Sequence, residues 1–196
     1  MPAMTPPPES GDAPPDADLV ARAAAGDADA FEVLYRRHRD WAAGLAFRFT
    51  GDHDAALDVM QETFLYFLRK LPTLRLEARL TTFLYPVVKH LARDARAKSE
   101  REKMRTAELA ERTPNRPGTV TGTGTGTEAS LGGLEATVAR LSEEHRETLL
   151  MRFVDGMTLA EIAQVLEVPL GTVKSRLHAA VTTLRSAPRT RDYFSE

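Results

Sequence analysis

The 196-residue chain has a formal net charge of −2 and no cysteine, which excludes disulfides, thiolate nucleophiles and Cys-ligated zinc. Its hydrophobic content of 42% can supply cores, but no apolar run approaches the ~20 residues of a membrane span. The proline- and acid-rich start lacks the basic and apolar regions of a secretory signal, so a cytoplasmic protein without membrane insertion is expected. An acidic balance argues against nucleic-acid binding until the charges are located. Residues 89–105 hold seven cations against three acids, and residues 171–191 hold five cations and no acid. Residues 142–170, between them, carry six acids against two arginines. Two basic segments on an acidic chain point to local polyanion contacts, although two solvated helix faces would read the same way.

Residues 1–15, with six prolines and few large apolar groups, read as a disordered tail. The rest is helical in pattern with no convincing strand. Asp18 is a candidate cap for a short helix through Ala25, ended by Gly26, and Asp27 caps the next. Phe31, Leu34, Tyr35, His38, Trp41, Leu45, Ala46 and Phe49 recur at steps of three and four, the buried face of a long helix closed near Gly51. A third helix runs from His53 to Leu71, where Pro72 stops it, and a fourth from Leu80 to Met104. Pro86 lies inside that fourth helix and predicts a break after Tyr85. Residues 106–130, with a Thr-Gly repeat, read as a flexible linker with a reach of roughly 25–30 Å. The modules on either side are expected to tumble semi-independently.

Helical pattern resumes at Leu131. Ser142 caps a helix to Val154, and Thr158-Leu159-Ala160-Glu161 is a capping box that opens a short helix to Leu166. After the turn Glu167-Val168-Pro169 a last helix runs from Gly171 to Leu184. A short capped helix, a three-residue turn and a second helix make a helix-turn-helix, with Leu159, Ile162, Ala163, Leu166, Val173 and Leu177 as its inner face. Thr172, Lys174, Ser175, Arg176 and His178 are predicted to point outward, a helix suited to the DNA major groove. An ordinary helical hairpin would share the apolar spacing. The expected fold is all-α, two small helical domains joined by a linker: a tail at 1–15, a helical bundle at 16–105, the linker at 106–130, the helix-turn-helix domain at 131–186 and a tail at 187–196.

The segment LSEEHRETLLMRFVDGMTLAEIAQVLEVPLGTVKSRLHAAVTTLR (141–185) closely resembles the fourth conserved region of extracytoplasmic-function sigma factors of the sigma-70 family. Residues 16–72, with DVMQETFL at 58–65, resemble that family's second region, in the family's order. The resemblance implies a transcription initiation factor that binds core RNA polymerase and promoter DNA, with an anti-sigma factor as a further partner. It places polymerase contacts at Asp58, Gln61, Glu62 and Phe64, although Phe64 also fits the core. Residues 74–100 are similar to the family's −10 element reader, where a loop captures a flipped base and a basic helix holds phosphates. That implies DNA contacts at Glu77, Lys89, His90, Arg93 and Arg96. The −35 element falls to Thr172, Lys174, Ser175, Arg176 and His178, with Lys174 on a phosphate and Arg176 on a guanine.

The chain departs from the family at Phe83, where Trp is usual, at Pro86 and Lys89, where Arg is common, and at His90, where Asn is frequent. Ala179 and Ala180 replace arginines that continue the recognition helix. These departures keep two other readings open: a sigma-like module that binds regulators or polymerase without reading promoters, and an independent helix-turn-helix repressor. The five histidines are scattered, with no metal-ligand spacing, no phosphate loop and no acid to orient a Ser-His pair. No enzyme, cofactor or metal is implied.

Overall fold

The computed structural model describes residues 14–76, 78–111 and 132–187. The expected N-terminal tail up to residue 13, most of the linker, the residues after 187 and the site residue Glu77 lie outside them. Among the described residues there are eight α-helices and no strand: α1 (Asp16–Ala24), α2 (Ala28–Thr50), α3 (His53–Lys70), α4 (Leu80–Glu111), α5 (Gly132–Ala139), α6 (Glu143–Phe153), α7 (Leu159–Leu166) and α8 (Leu170–Ser186). A 3-10 turn, Leu71–Thr73, follows α3 and carries Pro72 in its first turn.

Short-range chemistry sets most boundaries. The Asp27 carboxylate accepts from Ala30 N–H at 3.1 Å and that of Asp52 from Ala55 N–H at 2.8 Å, each satisfying an orphan donor of a first turn. Gly51 closes α2 at φ +69°, a left-handed conformation that a Cβ would strain. The α1 start differs from the sequence expectation. Its N-cap is Pro15, with no side-chain cap, and Asp18 is an exposed first-turn acid. The reason is long-range: two residues earlier, Asp16 turns inward, accepting from Arg37 Nη1 and meeting His38 Nε2 at 2.8 Å. Burial alone would raise the Asp16 carboxyl, but hydrogen bonds and charge from His38 and Arg37 outweigh it and hold the carboxyl below its ordinary range.

The N-terminal bundle packs α2, α3 and α4 together with α1 against α2. Leu34, Trp41 and Leu45 meet Val59, Phe64 and Phe67 and the α4 residues Leu80, Leu84, Tyr85 and Val88, all buried. Contrary to the expected break, α4 runs unbroken through Pro86 and continues to Glu111. A helix-interior proline costs about 3 kcal/mol. Leu84, Tyr85 and Val88, each at most 2% exposed, gain about 1.5–3 kcal/mol apiece from burial. Packing therefore outweighs the lost hydrogen bond, and exposed Pro86 stays on the outer face.

In the C-terminal module, Ser142 caps α6 and Thr158 with Glu161 forms a reciprocal capping box on α7. Glu167 turns the chain at φ +54°. Leu141, Leu149, Ala180 and Leu184 make a small core between α6 and α8. Ile162 and Val173 are buried as the helix-turn-helix pattern requires, but together with Met151 and Met157 they belong to the same apolar cluster as the N-terminal core. The two helical domains thus share a seam, with α7 packed on α4, and do not stand apart as the linker composition suggested. The apolar face of α7 has a second partner that its own hairpin cannot supply.

Candidate nucleic-acid interface

The outer face of α3 combines acids with bare hydrocarbon. Val59, Met60, Thr63, Phe64 and Phe67 point into the bundle, leaving Asp58, Gln61 and Glu62 exposed. Leu57, Leu65 and Leu68 share the exposed side, each about half accessible. Three leucines exposed on one side of this 18-residue helix make an apolar patch beside the acids. Phe64 is not part of it. At 4% exposure, edge-on to Tyr35 with ring centroids 4.8 Å apart, it shapes the core beneath the face and cannot touch a partner directly.

Two cations of the basic helix α4, Lys89 and Arg93, meet acids of the C-terminal module. Lys89 Nζ donates to the Glu147 carboxylate, which also accepts from the Tyr85 hydroxyl at 3.2 Å. Burial, then the Glu147 charge, pushes the Tyr85 phenol far above its usual value, so it remains a donor. Arg93 reaches Glu143 at 2.9 Å, and Arg96 pairs along its own helix with Glu100 at 2.9 Å. His90 is exposed, 3.4 Å from Asp94. Phe83 stacks on Tyr66 and tilts against Phe67, a core aromatic at the position of the family's usual Trp. Beside it lies a cleft of about 590 Å³, one wall formed by Phe83, Pro86 and His90 and the other by Gln164 and Val165 of α7.

On the recognition helix α8 the predicted outward set divides. Lys174, Ser175 and His178 are exposed, one polar stripe at i, i+1 and i+4, with no acid in the first turn. Thr172 and Arg176 are half-buried. Arg176, expected to point into the groove, instead lies against α6 with Nη2 2.8 Å from Glu144. The helix rotation set by buried Val173 and Ala180 forces this, because position 176 is three residues from one and four from the other.

The seam itself holds residues that the sequence reading did not single out. Asp155, in the turn after α6, is 1% exposed. It accepts from Trp41 Nε1 at 3.0 Å and from Arg48 Nη2 at 2.8 and 2.7 Å through its two oxygens. Burial pushes the Asp155 carboxyl above its ordinary range, and the opposing pull of Arg48 and Trp41 does not offset it. Arg79 donates to Gly156 O at 3.2 Å and lies 3.9 Å from Glu161. A lone acid within the apolar stretch Phe153-Val154-Asp155-Gly156-Met157 was the available signal.

Comparison with known proteins bears on the family and the fold. Residues 34–102 match the family model for sigma-70 region 2 and residues 131–184 that for sigma-70 region 4. The ECF RNA polymerase sigma factor SigL of Mycobacterium tuberculosis is 33% identical over 169 residues, 85% of this chain and 93% of the relative. Among solved structures, CnrH in complex with the cytosolic domain of CnrY shares the fold with a TM-score of 0.61 at 24% identity, covering 92% of this chain and 99% of that one. The sigma factor RpoE of Bartonella quintana, in complex with the anti-sigma factor NepR, does so at 0.53 and 18% identity, covering 80% and 95%. The 33% identity to SigL over 85% of this chain, with regions 2 and 4 in order on two helical modules, places this chain in the extracytoplasmic-function sigma factors of the sigma-70 family.

Proposed function

We propose that the chain docks on core RNA polymerase through Asp58, Gln61 and Glu62 of α3, with Leu57, Leu65 and Leu68 as the apolar part of that contact and Phe64 as its support. As a promoter-recognising sigma factor it then directs initiation by reading two elements. Lys89, Arg93 and Arg96 hold −10 phosphates, His90 and Glu77 reach toward its bases, and Lys174, Ser175 and His178 face the −35 duplex. Thr172 stands at the start of that helix, where backbone N–H groups and the helix dipole favour a phosphate. Arg176 serves the −35 contact from the edge, by orienting α8 against α6. Base contacts contribute about 1–3 kcal/mol each above a salt-sensitive phosphate term.

The chain works by binding, without chemistry of its own. It works in the cytoplasm, and among the described residues no helix is long and apolar enough to cross a membrane. An anti-sigma factor is a further partner, a reading supported by the NepR complex of the Bartonella quintana relative. The observation that carries the whole proposal is the exposed acid-and-leucine face of α3 on the same chain as an acid-free recognition helix. Run-off transcription from a genomic library, with core polymerase and this chain as sole sigma factor, is the test. Discrete start sites are expected; their absence, with polymerase binding intact, would favour the sigma-like module that does not read promoters.

A further inference from the structure

The cleft beside Phe83 is lined by polar groups that the rest of the chain leaves unused. Thr82, 5% exposed, lines it with a hydroxyl that has no hydrogen-bond partner. Burying an unpaired hydroxyl is unfavourable, and a ligand contact would relieve it. Pro86, one turn on, adds to this. It has no N–H to give the Thr82 carbonyl, so that oxygen lacks its ordinary intrahelical partner. The neighbouring wall is aromatic: Tyr66 and Phe83 lie nearly parallel, 25° between planes, with centroids 6.4 Å apart. Flat apolar surfaces of this kind are where bases stack. Three basic residues, Arg75, Arg79 and His90, line the cleft against one acid, Glu167, among the described residues. Arg79 is fixed by its bond to Gly156 O, whereas Arg75 is exposed. The first turn of α4 also lies here, bringing the positive end of a 32-residue helix. Across the gap, α7 supplies the Gln164 amide and the Val165 side chain. The volume of about 590 Å³ falls in the range of small-molecule sites, about 300–1,000 Å³.

We propose that this cleft binds a free nucleoside phosphate, its base against the Tyr66–Phe83 wall and its phosphates toward Arg75 and Arg79. The inference goes beyond promoter reading and does not rest on it. The Thr82 hydroxyl and the Gln164 amide each both donate and accept, as the mixed edge of a base requires. Inorganic phosphate would use the cations but leave the aromatic wall and Thr82 idle. A purely apolar ligand would use the wall and leave the cations idle. A nucleotide engages all three. Its walls come from α4 and α7, so the bound molecule touches both modules, and nucleotide supply becomes a signal that the chain itself registers. A base carried on a DNA strand shares part of this chemistry, and the experiment must separate the two sources.

The full chain is titrated calorimetrically with ATP, GTP, CTP and UTP, and at least one should bind at a single saturable site. The matching nucleoside and inorganic triphosphate should each bind at least about ten-fold more weakly, because each makes only part of the contacts. Thr82→Val removes only the hydroxyl, and should weaken the nucleotide about five-fold. Its melting temperature should not fall, since that hydroxyl has no partner in the free chain. Arg75→Gln should weaken nucleotide and triphosphate together by about five-fold and leave the nucleoside unchanged. Gln164→Ala, on the exposed side of α7, should weaken the nucleotide and the nucleoside alike. If Thr82→Val does not fold, the two exposed positions decide. No saturable binding at millimolar nucleotide, or triphosphate binding as tightly as any nucleotide, would overturn the proposal. A short mixed-sequence single-stranded DNA is the competing probe. If it binds more tightly than every free nucleotide and is weakened by Thr82→Val but not by Gln164→Ala, the cleft takes a base from a strand, and the free ligand is refuted.

Discussion

Replacing the buried pair at the seam by hydrocarbon, Arg48→Met with Asp155→Leu, should leave the folded chain as stable as before or more so, while either change alone destabilises it. The side chains are 24% and 2% exposed respectively. Arg48→Met strands a carboxylate that has almost no access to water, and removing one partner of a buried pair costs about 3–5 kcal/mol. Part of this is avoided by protonation, since burial already raises that carboxyl, so about 3 kcal/mol is the working figure. Asp155→Leu strands Arg48, which has a quarter of its surface in water, and the Trp41 N–H, which has none of its own to spare at 3% residue exposure. An unsatisfied buried donor costs about 1–3 kcal/mol, so this single change should be the milder by about 1 kcal/mol. The double variant removes both desolvated charges and should fall between neutral and about 4 kcal/mol stabilised, apart from the orphaned Trp41 N–H. Urea unfolding of the four proteins by far-ultraviolet circular dichroism, at neutral pH and one salt concentration, closes the cycle. Single costs that simply add in the double variant, or an Arg48→Met cost below about 1 kcal/mol, would refute the argument that desolvation governs this seam.

The docking face should respond without unfolding: Asp58→Ala with Gln61→Ala weakens core polymerase binding in a pull-down titration while circular dichroism is unchanged, both residues being exposed. Lys174→Ala should lower duplex affinity alike for all −35 variants and reduce the salt slope by about 1. Arg176→Ala should instead show mainly as a lower melting temperature, because its guanidinium sits against Glu144. Pro86→Ala should restore one helical hydrogen bond and stabilise the chain by about 1–2 kcal/mol, the helix gain less the entropy that proline removes from the unfolded state; a melting curve that does not rise counts against the unbroken helix. Asp16 has a folded-state pKa below its unfolded value, so its contribution is present above about pH 4 and is lost as pH falls through the lower, folded value. Asp16→Asn should therefore flatten the acid limb of the stability curve, measured by urea midpoints across that range.

Helix boundaries written in local chemistry were legible in the sequence. Asp27, Ser142 and the Thr158–Glu161 box each act within three residues of themselves, and so did Gly51. Asp18 looked as good a cap as Asp27, but Asp16 was taken inward by partners 21 and 22 positions away, which no local pattern encodes. Pro86 followed the same logic: the propensity for a break is local, whereas the burial of Leu84, Tyr85 and Val88 that overrides it is tertiary. Among the site residues, periodicity placed Asp58, Gln61 and Glu62 outward correctly and allowed Phe64 its core position. It did not resolve α8, where the burial of Val173 and Ala180 decides by a fraction of a turn that Arg176 faces α6. The seam was hidden for a different reason. Its ion pairs join positions 50 to 107 residues apart, and net-charge counting recorded α4 as basic and α6 as acidic without indicating that the two meet.

Trp41 is the single tryptophan of the chain, and its ring nitrogen lies at the boundary between the two modules. Its emission therefore has one source, with a carboxylate and a guanidinium as near neighbours at the seam. Parting of the modules exchanges that fixed hydrogen bond for water, which shifts the emission to longer wavelength and admits soluble quenchers. The chain thus carries its own optical gauge of the seam, readable in unmodified protein. Polymerase, DNA and any inhibitory partner could each be ranked on that gauge by whether they draw the modules apart or hold them together.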